Sequence, residues 1–133
     1  MAIQLSVACR NARLDAIETF AGATLVLKLR TGAQPADCAT ADSGTVVSTI
    51  TCPADTFAAA SGGAMAKSGT WQDTVADASG TVAHFRLYQS NGTTCVMQGS
   101  VGQGSGDMSI DNVVVVAGQS ITINTFTITD GNA

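Results

Sequence analysis

Aromatic residues make up 5% of this 133-residue chain and charged residues 12%. There is one Trp, one Tyr and one His, and Glu occurs once, at Glu18. With so few rings, the core must rest on Val, Ile, Leu, Ala and Met, which a domain of this size can pack without covalent staples. The charged share is about half that of an ordinary soluble domain. Gly, Ser, Thr and Ala fill the gap, giving a surface that suits a protein covered by neighbours in an assembly.

Other shortages exclude whole classes. The six basic residues are dispersed (Arg10, Arg13, Lys28, Arg30, Lys67 and Arg86), and net charge is −4. No basic stripe exists, so nucleic acid is not an expected partner. No apolar run approaches a membrane span, and no membrane contact is expected. The N-terminal MAIQLSVACRNARLD carries neither a basic leader nor a long apolar stretch, so export is not expected. Cys9, Cys38, Cys52 and Cys95 are therefore read as free thiols, with a Cys38–Cys52 disulfide as the alternative. Their spacing fits no zinc site.

What is present is strand sequence. The centre is Gly80 to Gly102, GTVAHFRLYQSNGTTCVMQGSVG, where Ser90-Asn91-Gly92 joins two strands into a hairpin. A three-residue loop with Gly92 left-handed sets Leu87 opposite Cys95 and Phe85 opposite Met97. Ala83, Phe85, Leu87, Cys95, Met97 and Val101 then share a buried face. His84, Arg86, Tyr88, Gln98 and Ser100, with Val82 and Val96, share an outer face.

Upstream, Ser6 to Thr19 is predicted helical, with Ser6 as N-cap, Gly22 as terminator and Leu14 and Ile17 on one face. Thr24 to Thr31 alternates Leu25, Leu27 and Leu29 with Val26, Lys28 and Arg30, as a half-buried strand does. Residues 32–44 form a loop, and Thr45 to Cys52 a second strand beside the first. Ala54 to Val75 is ambiguous between a helical turn near Phe57 and a loose strand through Met65 to Lys67; Trp71 is its anchor. GQGSG at 102–106 links the hairpin to Met108–Val116 and Gln119–Thr129. In the last run the apolar parity changes near Asn124 or Thr125, which predicts a bulge or a crossing between sheets. Seven or eight short strands and one early helix predict a mainly β chain, an antiparallel jelly-roll-like β-sandwich in a single domain over 1–133. The arm and helix occupy 1–22 and the β-rich body 23–133.

Little chemistry is on offer. His84 falls on the outer hairpin face with no orienting or nucleophilic partner nearby and is read as a surface histidine. Asp107 and Asp111 fit no calcium loop. The glycines of GQGSG precede no helix and so form no phosphate cradle. No catalytic, cofactor or metal site is expected, and the chain is not read as an enzyme.

Five blocks together resemble a family: ACRNARLDAIETFAG, LKLRTGAQPADCATADSGTVVSTI, ASGGAMAKSGTW, ADASGTVAHFRLYQSNGTTCVMQGSVG and GDMSIDNVVVVAGQSITINTFTIT. They are similar to the capsid decoration (cement) proteins of tailed bacteriophages, in particular those of Bordetella-type podophages. The resemblance covers almost the whole chain and implies a jelly-roll domain that pairs into homodimers. It places the domain on the outer surface of the virion capsid, bound to the major capsid protein. Such a protein stabilises a shell by linkage across many weak contacts. Contact candidates are Ile3 and Leu5 in the leading arm, and Val82, Arg86, Tyr88 and Val96 on the outer hairpin face. Edge pairing by the last strand is a third route. The alternative function is a tail- or fibre-associated module recognising host glycans, with Trp71 and Tyr88 stacking on a sugar ring.

Overall fold

A computed structural model describes residues 3–131. The chain is mainly β, with one short helix, α1 (Val7–Ala21), ahead of the strands. Ser6 caps α1 by accepting from the Cys9 N–H at 3.1 Å, and Gly22, with φ 80°, ends it by donating to the Glu18 carbonyl at 2.9 Å. At that positive φ a residue with a side chain would be strained, and glycine is not. Leu14 and Ala21 are buried and Ile17 packs against the core, so a narrow stripe docks the helix. Polar ties add to it. Asn11 accepts from the Gly63 N–H, and Arg13 lies 3.2 Å from Asp130.

The strands are β1 (Val26–Arg30), β2 (Val46–Thr51), β3 (Ala64–Ala66), β4 (Gln72–Asp73), β5 (Gly80–Thr81), β6 (His84–Tyr88), β7 (Cys95–Gly102), β8 (Met108–Ile110), β9 (Val114–Val115) and β10 (Ile121–Thr129). Eight form one sheet in the order β2-β1-β6-β7-β8-β10-β3, with β4 also on β10; β5 and β9 pair separately. β1 and β2 are neighbours as their flanking loop predicts. The sheet curls, because Ser48 in β2 at one end donates to Asp73 in β4 at the other, at 2.6 Å.

The expectation of a purely antiparallel sheet is corrected at one place. β7 and β8 run parallel, with Val101 beside Met108 and Gly102 beside Ser109. Parallel neighbours ordinarily need a long crossover. Here residues 103–107 suffice, because glycines let the chain coil tightly. A Cβ on Gly102 would lie 2.6 Å from the Ser105 carbonyl oxygen, and Gly106 sits at φ 80°. Asp107 locks the turn by accepting from the Ser100 N–H and hydroxyl.

One hydrophobic cluster fills the curl. Leu25, Leu27 and Leu29 are fully buried on it, as their alternation requires. Burying each such side chain contributes about 1.5–3 kcal/mol. The ambiguous stretch 54–75 holds β3, β4 and an isolated bridge from Phe57 to Lys67, with no helical turn at Phe57. Trp71 is an interior anchor. Its ring lies 5.8 Å from Phe57 and 5.9 Å from Phe126, and its indole N–H donates to the Ser68 carbonyl. The parity change in the last run is a register shift in β10 between Ile123 and Thr125.

Candidate functional site

In the β6–β7 hairpin Phe85, Leu87 and Met97 lie on the core side as predicted, but Ala83, predicted buried, is exposed, and the register differs. Leu87 pairs with Met97 and Phe85 with Gly99, and a bulge between Leu87 and Tyr88 brings Tyr88 opposite Cys95. The turn tightens around Asn91, whose side-chain carbonyl accepts from the Thr93 and Thr94 N–H groups. The bulge moves Cys95 to the Arg86 and Tyr88 side and Val96 to the core side, exchanging the two residues relative to strict alternation. Gly99 is required for packing, since a Cβ there would come within 2.7 Å of the Phe85 ring.

The second face, expected to be exposed, is covered. Arg86 is 2% exposed, Tyr88 2%, Val82 3% and His84 0%. Val82 belongs to the hydrophobic core, and Val96 is partly buried against it. His84 is thus not a surface histidine. The cover is the 32–44 loop, nailed down by hydrogen bonds. Arg86 donates to the Asp37 and Thr40 carbonyls at 2.8 Å each, and Gln98 to the Pro35 carbonyl at 2.7 Å. His84 Nδ1 donates to the Gly32 carbonyl at 2.9 Å.

Asp42 is the hub. Its Oδ1 accepts from Arg86 Nη1 at 2.5 Å and from the Tyr88 hydroxyl at 2.8 Å, and its Oδ2 accepts from Arg30 Nη2 at 2.6 Å. β1 and β6 set Lys28 opposite Arg86 and Arg30 opposite His84, a basic column that would repel itself without an anion. Asp42 supplies that anion. Burial by itself would raise its pKa, but hydrogen bonds from Tyr88 and Arg86 and the two guanidinium charges outweigh this and hold it below the usual carboxylate value. Tyr88 is pushed the other way, first by burial and then by the Asp42 carboxylate. Lys28 Nζ sits 4.9 Å above the Tyr88 ring and donates to the Gly92 carbonyl.

This face is therefore an internal joint, and its residues reach a partner only if the loop lifts. Nor do the rings proposed for sugar stacking offer a platform: Trp71 is 0% exposed and Tyr88 is capped. β10 is not an edge either, because β8 flanks one side and β3 and β4 the other.

The exposed apolar residues lie elsewhere. Val75, Val114 and Val116 are 62%, 61% and 63% exposed. The segments that carry them are tied together, since the Ala76 N–H donates to the Gln119 carbonyl and the Gly118 N–H to the Ala76 carbonyl. Sequence reading missed this patch, although the run of four valines at 113–116 is its signal: two of them pack inward and two are left outside. A second exposed group follows the N-terminal arm and helix, with Ile3, Val7 and Phe20. Leu5 is half-buried. Met1 and Ala2 of the arm lie outside the described residues. Among the described residues, no three His, Cys, Asp or Glu side chains gather where a metal ion would bind, and no helix is long and apolar enough to cross a membrane. A groove of about 300 Å³ runs between α1 and β10, lined by Leu14, Ile17 and Ile128 with Arg13 and Asp130 at its rim.

No protein-family model, curated protein or solved structure matches the chain.

Proposed function

We propose that this chain is a non-enzymatic decoration protein, a jelly-roll-like domain acting as a homodimer on the outside of a tailed-phage head. There it bridges neighbouring subunits of the major capsid protein. The supporting observation is the patch of Val75, Val114 and Val116, each more than 60% exposed on a chain with only 12% charged residues. Three exposed aliphatic side chains on hydrogen-bonded segments offer a preordered contact surface, so little backbone freedom is lost on docking. The arm leading into α1, with Ile3 86% exposed, supplies a second contact that reaches a neighbouring subunit. Bridging adds its binding free energy to the shell, and many modest contacts together resist internal pressure. Quantitative mass spectrometry of purified particles tests the reading. Copies in fixed stoichiometry with the major capsid protein are expected, whereas a handful of copies per particle, as for a tail component, contradicts it.

A further inference from the structure

Cys38 and Cys95 lie 57 positions apart in the chain, one in the covering loop and one at the start of β7. Folding sets their sulfurs 2.6 Å apart, and both are free thiols. Both residues are half-buried. The other two cysteines stand apart from this pair. Cys9 is exposed on α1, and Cys52 is buried at the end of β2 with its thiol pushed up to about 12 by burial. The predicted alternative pairing, Cys38 with Cys52, is not the one that folding brings together.

We propose that Cys38 and Cys95 form an oxidative crosslinking site, closed by a small-molecule disulfide, that staples the 32–44 loop over the Arg86–Asp42–Tyr88 joint. The inference stands apart from the decoration reading and holds for any function of the chain. The Cys38 thiolate attacks one sulfur of a compound such as oxidised glutathione, breaking its S–S bond and expelling one glutathione thiolate. Cys95 then gives its proton to solvent and attacks the Cys38 sulfur of the mixed disulfide, expelling the second. The protein loses two electrons and two protons, and the reagent becomes two thiols. Closing the bond, about 2.05 Å long, needs only a small side-chain adjustment from the separation already present. The geometry needs no loop movement, because Arg86 already holds the Asp37 and Thr40 carbonyls on either side of Cys38. The order of attack follows from Cys95. Its thiol is pushed up first by burial and then by the adjoining Cys38, and the proposed sequence therefore places it second.

The test uses the whole chain. Folded protein is incubated with oxidised glutathione, remaining thiols are alkylated, and the chain is digested with trypsin without reduction. Residues 31–67, carrying Cys38 and Cys52, are expected linked to residues 87–133, carrying Cys95. Fragmentation should place the bridge at Cys38, with two alkylated cysteines left per chain. Closing so long a loop should raise the Tm by an amount on the order of 10 °C, and Cys38→Ser and Cys95→Ser should each abolish both the link and the rise. Cys9→Ser should leave both intact. Glutathione adducts without a bridge, a link that persists in Cys38→Ser, or a Cys38–Cys95 bridge with no change in Tm would overturn the proposal.

Discussion

The two faces of the β6–β7 hairpin are both covered, by different means. On one, Phe85 and Leu87 enter the apolar core, where the Phe85 ring meets Phe126 edge-on at 5.2 Å. On the other, Arg86, Tyr88 and His84 are met by a loop that offers carbonyl oxygens and one carboxylate. The first face is held by burial, which has no direction and tolerates substitutions of similar volume. The second is held by hydrogen bonds that specify one position of one loop, and it fails when a partner is removed and a buried charge is stranded. The difference teaches that a half-apolar strand face rich in arginine need not be a contact surface. It can be a socket for the protein's own loop.

The comparison can be broken from either side. The largest effect is expected at Phe85→Ala, which empties the aromatic contact and should cost about 3–5 kcal/mol by denaturant unfolding. Next comes Asp42→Ala, which leaves two buried guanidiniums and a buried phenol sharing no carboxylate. The carboxylate is itself 37% exposed and thus partly screened, so the low end of the cost of breaking a buried pair applies, about 3 kcal/mol. If Asp42→Ala proved as mild as an ordinary surface substitution, the socket would not be a structural joint. Conservative change should separate the faces further. Phe85→Leu is expected to cost clearly less than Phe85→Ala, whereas Asp42→Asn should recover little, because an amide cannot accept from three donors.

A smaller effect concerns pH. The folded pKa of Asp42 lies below its unfolded value of 3.8, so its stabilisation is complete above that value and is lost as pH falls through the lower folded one. The stability difference between the unmodified chain and Asp42→Asn should therefore be flat above about pH 5 and shrink below about pH 4. A difference that grew on acidification would reverse the sign of the argument. The smallest effect is expected at the helix, where Arg13 is 60% exposed beside Asp130. Arg13→Ala should change stability by about 0.5 kcal/mol or less and lose even that at high salt.

Period-two alternation made the apolar half of this fold legible. Leu25, Leu27 and Leu29 announce β1, and the parity change in the last run announces the β10 bulge. Ser6 and Gly22 announce the ends of α1 because capping chemistry is local. The covered face was not legible in the same way. Its cover is made of backbone carbonyls at Gly32, Pro35, Asp37 and Thr40, and every residue carries a carbonyl, so composition says nothing about where it points. The one side-chain clue was electrostatic: a basic column of Lys28, Arg30 and Arg86 on adjoining strands needs a counter-charge, and Asp42 lies in the neighbouring loop. Cys95 was assigned to the wrong face because a bulge one residue long exchanges the sides. The parallel β7–β8 pair hid behind glycines that read as a linker.

In the proposed function the hairpin joint faces inward while the exposed valines face the capsid. Carbene footprinting of the chain, free and bound to capsid shells, tests it most directly. Loss of labelling at Val75, Val114 and Val116 on binding, with residues 33–42 unchanged, is the predicted result. Unchanged labelling of the valines together with protection of residues 33–42 would contradict the account.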